Sequence, residues 1–129
     1  MIFSVSLALS VMLLGTPSTT PAPGREAPLK ATMDKMERRI ATAPCVGSPD
    51  KWERRYFYKT WVTGTVFHLD EAVIKFEYYE AGKFEFKEGR KFYIDPPLPM
   101  MDDRRFRIAY GYYDWTKDRV TLLACGKNA

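Results

Sequence analysis

The chain has 129 residues, with 20 Lys and Arg, 16 Asp and Glu, one His and two Cys. This length fits one domain, because domains usually span about 100–200 residues. Hydrophobic residues form 46% of the chain, which is enough for a core and argues against disorder. One histidine and two cysteines nearly exclude a zinc ribbon or a histidine-rich metal centre, so we predict no metal and no cofactor.

The N-terminal segment 1–24 carries no charged side chain and predicts export. Residues 2–14 are apolar apart from serines, and a helix of this length spans about 20 Å, short of a bilayer core of about 30 Å. That length suits the apolar region of a signal peptide, and a Pro-rich stretch over 15–24 ends it. We predict a signal peptide and linker at 1–24, a single disulfide-linked β-rich domain at 25–129, periplasmic or secreted, and no membrane span in the mature protein. An uncleaved anchor and a misplaced start codon are the alternatives.

Cys45 and Cys125, the only two cysteines, predict a disulfide. In an oxidising compartment two cysteines have one possible intramolecular pairing. A bridge across this separation of 80 residues would restrict the unfolded chain by about 4.5 kcal/mol on the loop-entropy estimate. Two buried free thiols are the alternative.

Apolar residues at steps of three and four predict an amphipathic helix over about residues 29–42. Pro28 suits a helix start, and Pro44 ends the pattern. The apolar stripe consists of Leu29, Met33, Met36 and Ile40. Glu37 and its charged neighbours lie mostly off it. Because the stripe is narrow, Met-rich and without aromatic residues, we expect it to pack on a sheet rather than on a membrane.

From Trp52 onward the hydrophobic period changes to two, which predicts strands. The strand-like segments cover residues 52–59, 72–79, 84–86, 92–94, 106–112 and 120–125. Turns are expected at 63–64, 81–82 and 88–89, and a hairpin loop at 114–118. The last segment is apolar on both faces, which predicts a central strand.

Residues 95–103 are Pro-rich and cannot form a central strand, so they are the longest predicted loop. The predicted fold class is mainly β (α+β). An N-terminal amphipathic helix precedes five to six antiparallel strands, arranged as a curled meander, half-barrel or small sandwich.

Two patterns offer catalytic or metal chemistry. Asp102 and Asp103 end the long loop, and two carboxylates that flank a sugar bond can cleave it. Adjacent carboxylates followed by Arg104, however, more often close a loop through their own ion pairs. His68 lies near Asp70 and can ligate a metal, but neighbours on an extended chain point apart, so we interpret it as solvent-facing.

Basic and aromatic residues interleave over 83–87, 90–93 and 104–107. With a net charge of +4, this pattern fits a surface for an anionic polymer, although an ordinary amphipathic strand produces the same pattern. The segment 110–115 adds flat rings suited to stacking on sugars, of which at least two must face the core. The candidate binding residues are Asp102, Asp103, Arg104, Tyr112, Tyr113 and Trp115.

Five short motifs occur along the domain: CVGS at 45–48, WER at 52–54, DDR at 102–104, YGYYD at 110–114 and CGKN at 125–128. Together they resemble motifs of a group of small secreted bacterial proteins of unknown function. The resemblance spans about residues 45–128 and implies neither catalytic residues nor a ligand.

The leading hypothesis is a non-enzymatic exported domain that binds an envelope component or a protein partner through its sheet face and the loop 95–103. An anionic envelope polymer fits the charge, and nucleic acid is disfavoured because an exported protein meets little of it. A small carboxylate-dependent glycan hydrolase is the alternative function, and a structural accessory subunit is the third. The sequence predicts no oligomeric state.

Overall fold

The computed structural model describes residues 26–94 and 104–129. It contains one helix, α1 (Lys30–Ile40), and a short 3-10 helix (Pro49–Lys51). The strands are β1 (Trp52–Thr63), β2 (Val66–Glu80), β3 (Gly89–Tyr93), β4 (Arg107–Asp114) and β5 (Arg119–Cys125). The predicted signal peptide and the predicted loop 95–103 lie outside the described residues.

The five strands form one open sheet in the order β3-β1-β2-β4-β5. The predicted mainly β fold class is confirmed, but β3 runs parallel to β1, so the sheet is mixed. The reason lies in the route of the chain. Because β2 ends opposite the start of β1, with Glu80 beside Trp52, the connection 81–88 crosses that end and β3 begins beside Glu53.

Two strand predictions were wrong. Residues 84–86 form a loop, since Phe84 has a φ of 53° and the Phe86 amide donates to the Lys83 carbonyl in a local turn. Residues 120–125 form an edge strand rather than a central one. Only one face of β5 is covered, and Leu123 on the other face is 49% exposed.

Helix α1 covers one face of the sheet, as the apolar stripe predicted. Met33, Met36 and Ile40 are buried, whereas Leu29 is exposed just before the helix begins. The sheet residues that share this core are Tyr56, Ile74, Phe76, Tyr78, Ile108, Ala109 and Tyr113. Burial of these apolar surfaces, at about 25 cal/mol per Å², is the main force that holds the helix on the sheet.

Glu37 is buried within this helix–sheet interface, although the sequence pattern placed it off the apolar stripe. Its carboxylate accepts hydrogen bonds from Arg54 Nη1 at 2.9 Å, Tyr56 Oη at 2.6 Å and Arg90 Nη2 at 2.6 Å. The Tyr78 hydroxyl lies 2.6 Å from that of Tyr56. Burial raises the pKa of both tyrosines above the usual value, so both hydroxyls stay protonated at neutral pH.

The predicted disulfide between Cys45 and Cys125 is confirmed, with 5.6 Å between the two Cα atoms. It joins the segment that follows α1 to the last residue of β5. The bridge therefore ties the helix connection to the edge of the sheet.

Candidate functional site

The face of the sheet opposite α1 carries side chains in cross-strand rows. The first row runs through Tyr93, Phe57, Lys75 and Tyr112, and the second through Lys91, Arg55, Glu77 and Tyr110. The third contains Gly89, Glu53, Tyr79 and Arg107. We call these three rows the open face.

The third row is covered by two loops. Phe86, in the connection 81–88, stacks on Tyr79 with 4.4 Å between ring centroids. Phe106, just before β4, meets Phe86 edge-on at 6.0 Å. Phe86 also contacts the second row, where the Arg55 guanidinium lies 5.0 Å from its ring centroid. The aromatic side chains of the first row are partly exposed.

On the open face the carboxylates are buried and the lysine ammonium groups are at the surface. Its carboxylates are buried, with Glu53 1% exposed and Glu77 4% exposed. Arg55 Nε donates to Glu53 at 2.6 Å, and the backbone amide of Lys87 donates to it at 2.9 Å. The ammonium groups of Lys75 and Lys91 remain at the surface, 3.5 Å from these carboxylates. The exposed part of this face is therefore positively charged.

Lysine ammonium groups also lie over aromatic rings of this face. Lys75 Nζ lies 5.6 Å from the centroid of Phe57, and Lys59 Nζ lies 5.0 Å from that of Tyr112. The attraction between the ammonium group and the ring favours one orientation of each flexible lysine side chain. Flat rings beside oriented cations can stack on a sugar ring and neutralise a neighbouring phosphate or carboxylate.

The four predicted binding residues that the structure describes, Arg104, Tyr112, Tyr113 and Trp115, do not lie on one surface. Asp102 and Asp103 lie outside the described residues. Arg104 is exposed near the covered third row, whereas Tyr112 lies in the first row. Those rows are four positions apart along β1, from Glu53 to Phe57, which is about 13 Å along a strand. Trp115 follows β4, and its Nε1 donates to the Glu71 carbonyl at 2.7 Å.

Tyr113 points to the helix side and is buried in the core. Its hydroxyl donates to Asp118 at 2.6 Å, and Asp118 also accepts from Arg39 of α1. Burial, followed by the neighbouring carboxylate, raises the pKa of Tyr113 to about 12. The hydrogen bonds from Arg39 and Tyr113 lower the pKa of Asp118 to about 2. These contacts hold α1 on the sheet, so Tyr113 is not available to a ligand on the open face.

His68 stacks on Trp61, with 5.0 Å between ring centroids and 11° between planes. Within residues 26–94 and 104–129, no three His, Cys, Asp or Glu side chains are placed to hold a metal ion. The hydrolase hypothesis depends on Asp102 and Asp103 and stays a prediction.

Sequence reasoning missed Phe57, Lys59, Lys75 and Tyr93 as parts of one surface. Their alternation with core residues was visible and predicted which face each would take. Their alignment into a row depends on strand register, and a one-residue slip would move each to the other face.

Comparison with protein-family models, with curated proteins and with solved structures finds no match to this chain. Among the described helices, none has the length and apolar character needed to cross a membrane. The open face is therefore interpreted from its own chemistry.

Proposed function

We propose that this chain is an exported, non-enzymatic domain whose open face binds an anionic polymer of the cell envelope. The observation that carries the proposal is the first row, whose aromatic rings are partly exposed while the carboxylates of the face are buried. Two lysine ammonium groups lie over these rings, Lys75 over Phe57 and Lys59 over Tyr112. The net charge of +4 and the confirmed disulfide agree with a cationic protein of an oxidising compartment.

The binding mode follows from the spacing of the row. Neighbouring strands lie about 4.8 Å apart, so Tyr93, Phe57, Lys75 and Tyr112 repeat at a spacing comparable to that of sugar units in an extended polymer. Rings contact the apolar faces of sugars, and the lysines meet the anionic substituents. We expect affinity to fall with salt, because exposed charges are screened over about 8–10 Å at physiological ionic strength.

A sedimentation assay tests the proposal. Purified cell-wall sacculi and an immobilised anionic polysaccharide are mixed with the protein at low and at physiological salt. We expect Lys75→Gln and Tyr112→Leu each to reduce the bound fraction several-fold at both salt concentrations. Lys35→Gln on α1 removes the same charge from the opposite side of the sheet and should leave binding nearly unchanged.

Two outcomes would contradict the proposal. One is absence of binding by the parent protein at both salt concentrations. The other is an equal loss of binding in Lys75→Gln and Lys35→Gln, which would assign the attraction to net charge rather than to the open face. Thermal unfolding of each variant verifies that the fold is retained.

A further inference from the structure

The hairpin that joins β1 and β2 extends beyond the rest of the sheet. Pairing of β3 with β1 ends at Phe57, and pairing of β4 with β2 ends at Val73. Among the described residues, 59–63 and 66–70 therefore pair only with each other. We call this two-stranded projection, residues 59–70, the arm.

The tip of the arm is apolar on both of its sides. Residues 60–67 contain no charged side chain. The cross-strand partners Val62 and Phe67 are 63% and 67% exposed on one side. On the other side, Trp61 stacks on His68 and is 45% exposed. A monomer rarely exposes contiguous apolar surface of this kind unless the surface binds something.

The two-sided distribution favours a lipid phase over a protein surface. A flat protein partner covers one side of a projecting hairpin and leaves the other in water. Lipid surrounds a projecting tip on all sides, so both the Val62–Phe67 pair and Trp61 lose contact with water at once. The apolar contribution of both sides then adds to binding.

The order of residues along the arm also favours binding to lipid. The charged pair Lys59–Asp70 lies at the base, about 13 Å along the strands from the turn. Trp61 lies between the base and the tip, and Trp, like Tyr, is enriched at the boundary between water and lipid. Lys59 and the net charge of +4 favour a bilayer that contains anionic lipid.

The unpaired backbone groups of the arm limit how deeply it can insert into a bilayer. Each strand of the arm has one edge without a partner strand among the described residues, and unpaired backbone groups are not tolerated in the hydrocarbon core. At headgroup depth, water bonds to them. We propose that the arm anchors the protein to a bilayer surface by placing Trp61, Val62 and Phe67 in the interfacial region, about 5–10 Å deep. This surface is distinct from the open face and does not depend on the proposed polymer binding.

Tryptophan emission of the full chain tests the proposal. The protein is titrated with vesicles of phosphatidylcholine, with and without a minority of phosphatidylglycerol. The contribution of Trp61 is the difference between the parent and Trp61→Phe, which keeps the apolar surface. We expect a blue shift of Trp61 on both vesicles, at lower lipid concentration when phosphatidylglycerol is present. Brominated lipids should quench Trp61 most strongly when the bromine lies near the headgroup.

The decisive variant is Val62→Thr with Phe67→Thr, since threonine keeps strand propensity and removes apolar surface. We expect the lipid concentration at half-maximal Trp61 response to rise at least about tenfold. Leu123→Thr, on the edge strand β5, removes an exposed apolar side chain outside the arm and should respond like the parent.

Three results would overturn the proposal. The first is a Trp61 emission that vesicles do not change, whatever other part of the chain binds them. The second is an unchanged response in the double variant. The third is a concentration-dependent dimer that the double variant abolishes, with no response of Trp61 to lipid, because a second copy of the chain would then cover the arm.

Discussion

Replacement of Glu37 by glutamine tests the helix–sheet interface most directly. The carboxylate accepts from Arg54 and Arg90 through Oε1, and from Tyr56 and Arg90 through Oε2. Glutamine has nearly the same shape, but its amide nitrogen cannot accept any of these donors. The variant therefore leaves the buried Arg54 guanidinium without a compensating charge of comparable geometry, since its other carboxylate contact, Asp50, is 3.7 Å away and exposed.

The expected cost follows from the burial of Arg54. Removal of one partner of a buried ion pair usually costs about 3–5 kcal/mol, because the remaining charge is left in a poorly solvated site. Arg90 retains Asp34 at 2.6 Å and is partly exposed, so its share is small. We expect Glu37→Gln to lower the free energy of unfolding by about 3 kcal/mol, measured by urea denaturation at pH 7.

A double-mutant cycle separates this explanation from a general packing defect. The double variant Glu37→Gln/Arg54→Met contains no unpaired buried charge. Its free energy of unfolding should therefore fall by about 1–2 kcal/mol less than the sum of the two single-variant losses. Glu85→Gln, in the exposed connection 81–88, should change stability by less than about 0.5 kcal/mol. A loss below about 1 kcal/mol for Glu37→Gln, or strict additivity in the cycle, would refute the reasoning.

Three further predictions concern other parts of the fold. A β-carbon at Gly111 would overlap the backbone carbonyl of Thr121, so Gly111→Ala should cost about 3 kcal/mol in urea unfolding; a neutral effect would mean that β5 can move away. Replacement of both cysteines, Cys45 and Cys125, by alanine should cost about 4.5 kcal/mol; an unchanged urea midpoint would contradict the loop-entropy estimate. Asp118 has a pKa of about 2 against 3.8 when unperturbed, so its stabilisation is present above pH 4 and is lost between about pH 4 and pH 2. The Asp118→Asn variant should be less stable than the parent at neutral pH, and its stability should fall less between pH 4 and pH 2. An unchanged dependence of stability on pH would exclude a stabilising role of the Asp118 carboxylate.

The parts of the fold that local patterns encode were predictable. A pair of cysteines allows one pairing, and steps of three and four mark α1 whatever the helix packs against. The direction of β3 was not predictable in the same way, because period-two alternation is identical in parallel and antiparallel pairs. The burial of Glu37 was also hidden, since its partners Arg54 and Arg90 follow it by 17 and 53 residues.

The candidate surfaces depend even more on distant parts of the chain. Trp61 and Phe67 lie between the predicted strand segments 52–59 and 72–79, and nothing near them indicates that β1 and β2 extend this far or that no neighbouring strand covers them. Their exposure follows from where β3 and β4 stop pairing, at Phe57 and Val73. An alternating pattern therefore predicts which face of the sheet a side chain lies on. Whether other residues cover that side chain depends on the lengths of the neighbouring strands.

The two proposed surfaces meet at Lys59, but variants of residues that belong to only one surface can separate them. Lys59 lies at the base of the arm, and its ammonium lies over Tyr112 of the open face. Val62 and Phe67 point to the other side of the arm, because they alternate with Lys59 along paired strands. A variant of the Val62–Phe67 pair should therefore change lipid binding alone, Lys75→Gln should change polymer binding alone, and Lys59→Gln should weaken both. Loss of polymer binding in the double threonine variant would mean that the arm and the open face contact one ligand together, as a single continuous surface.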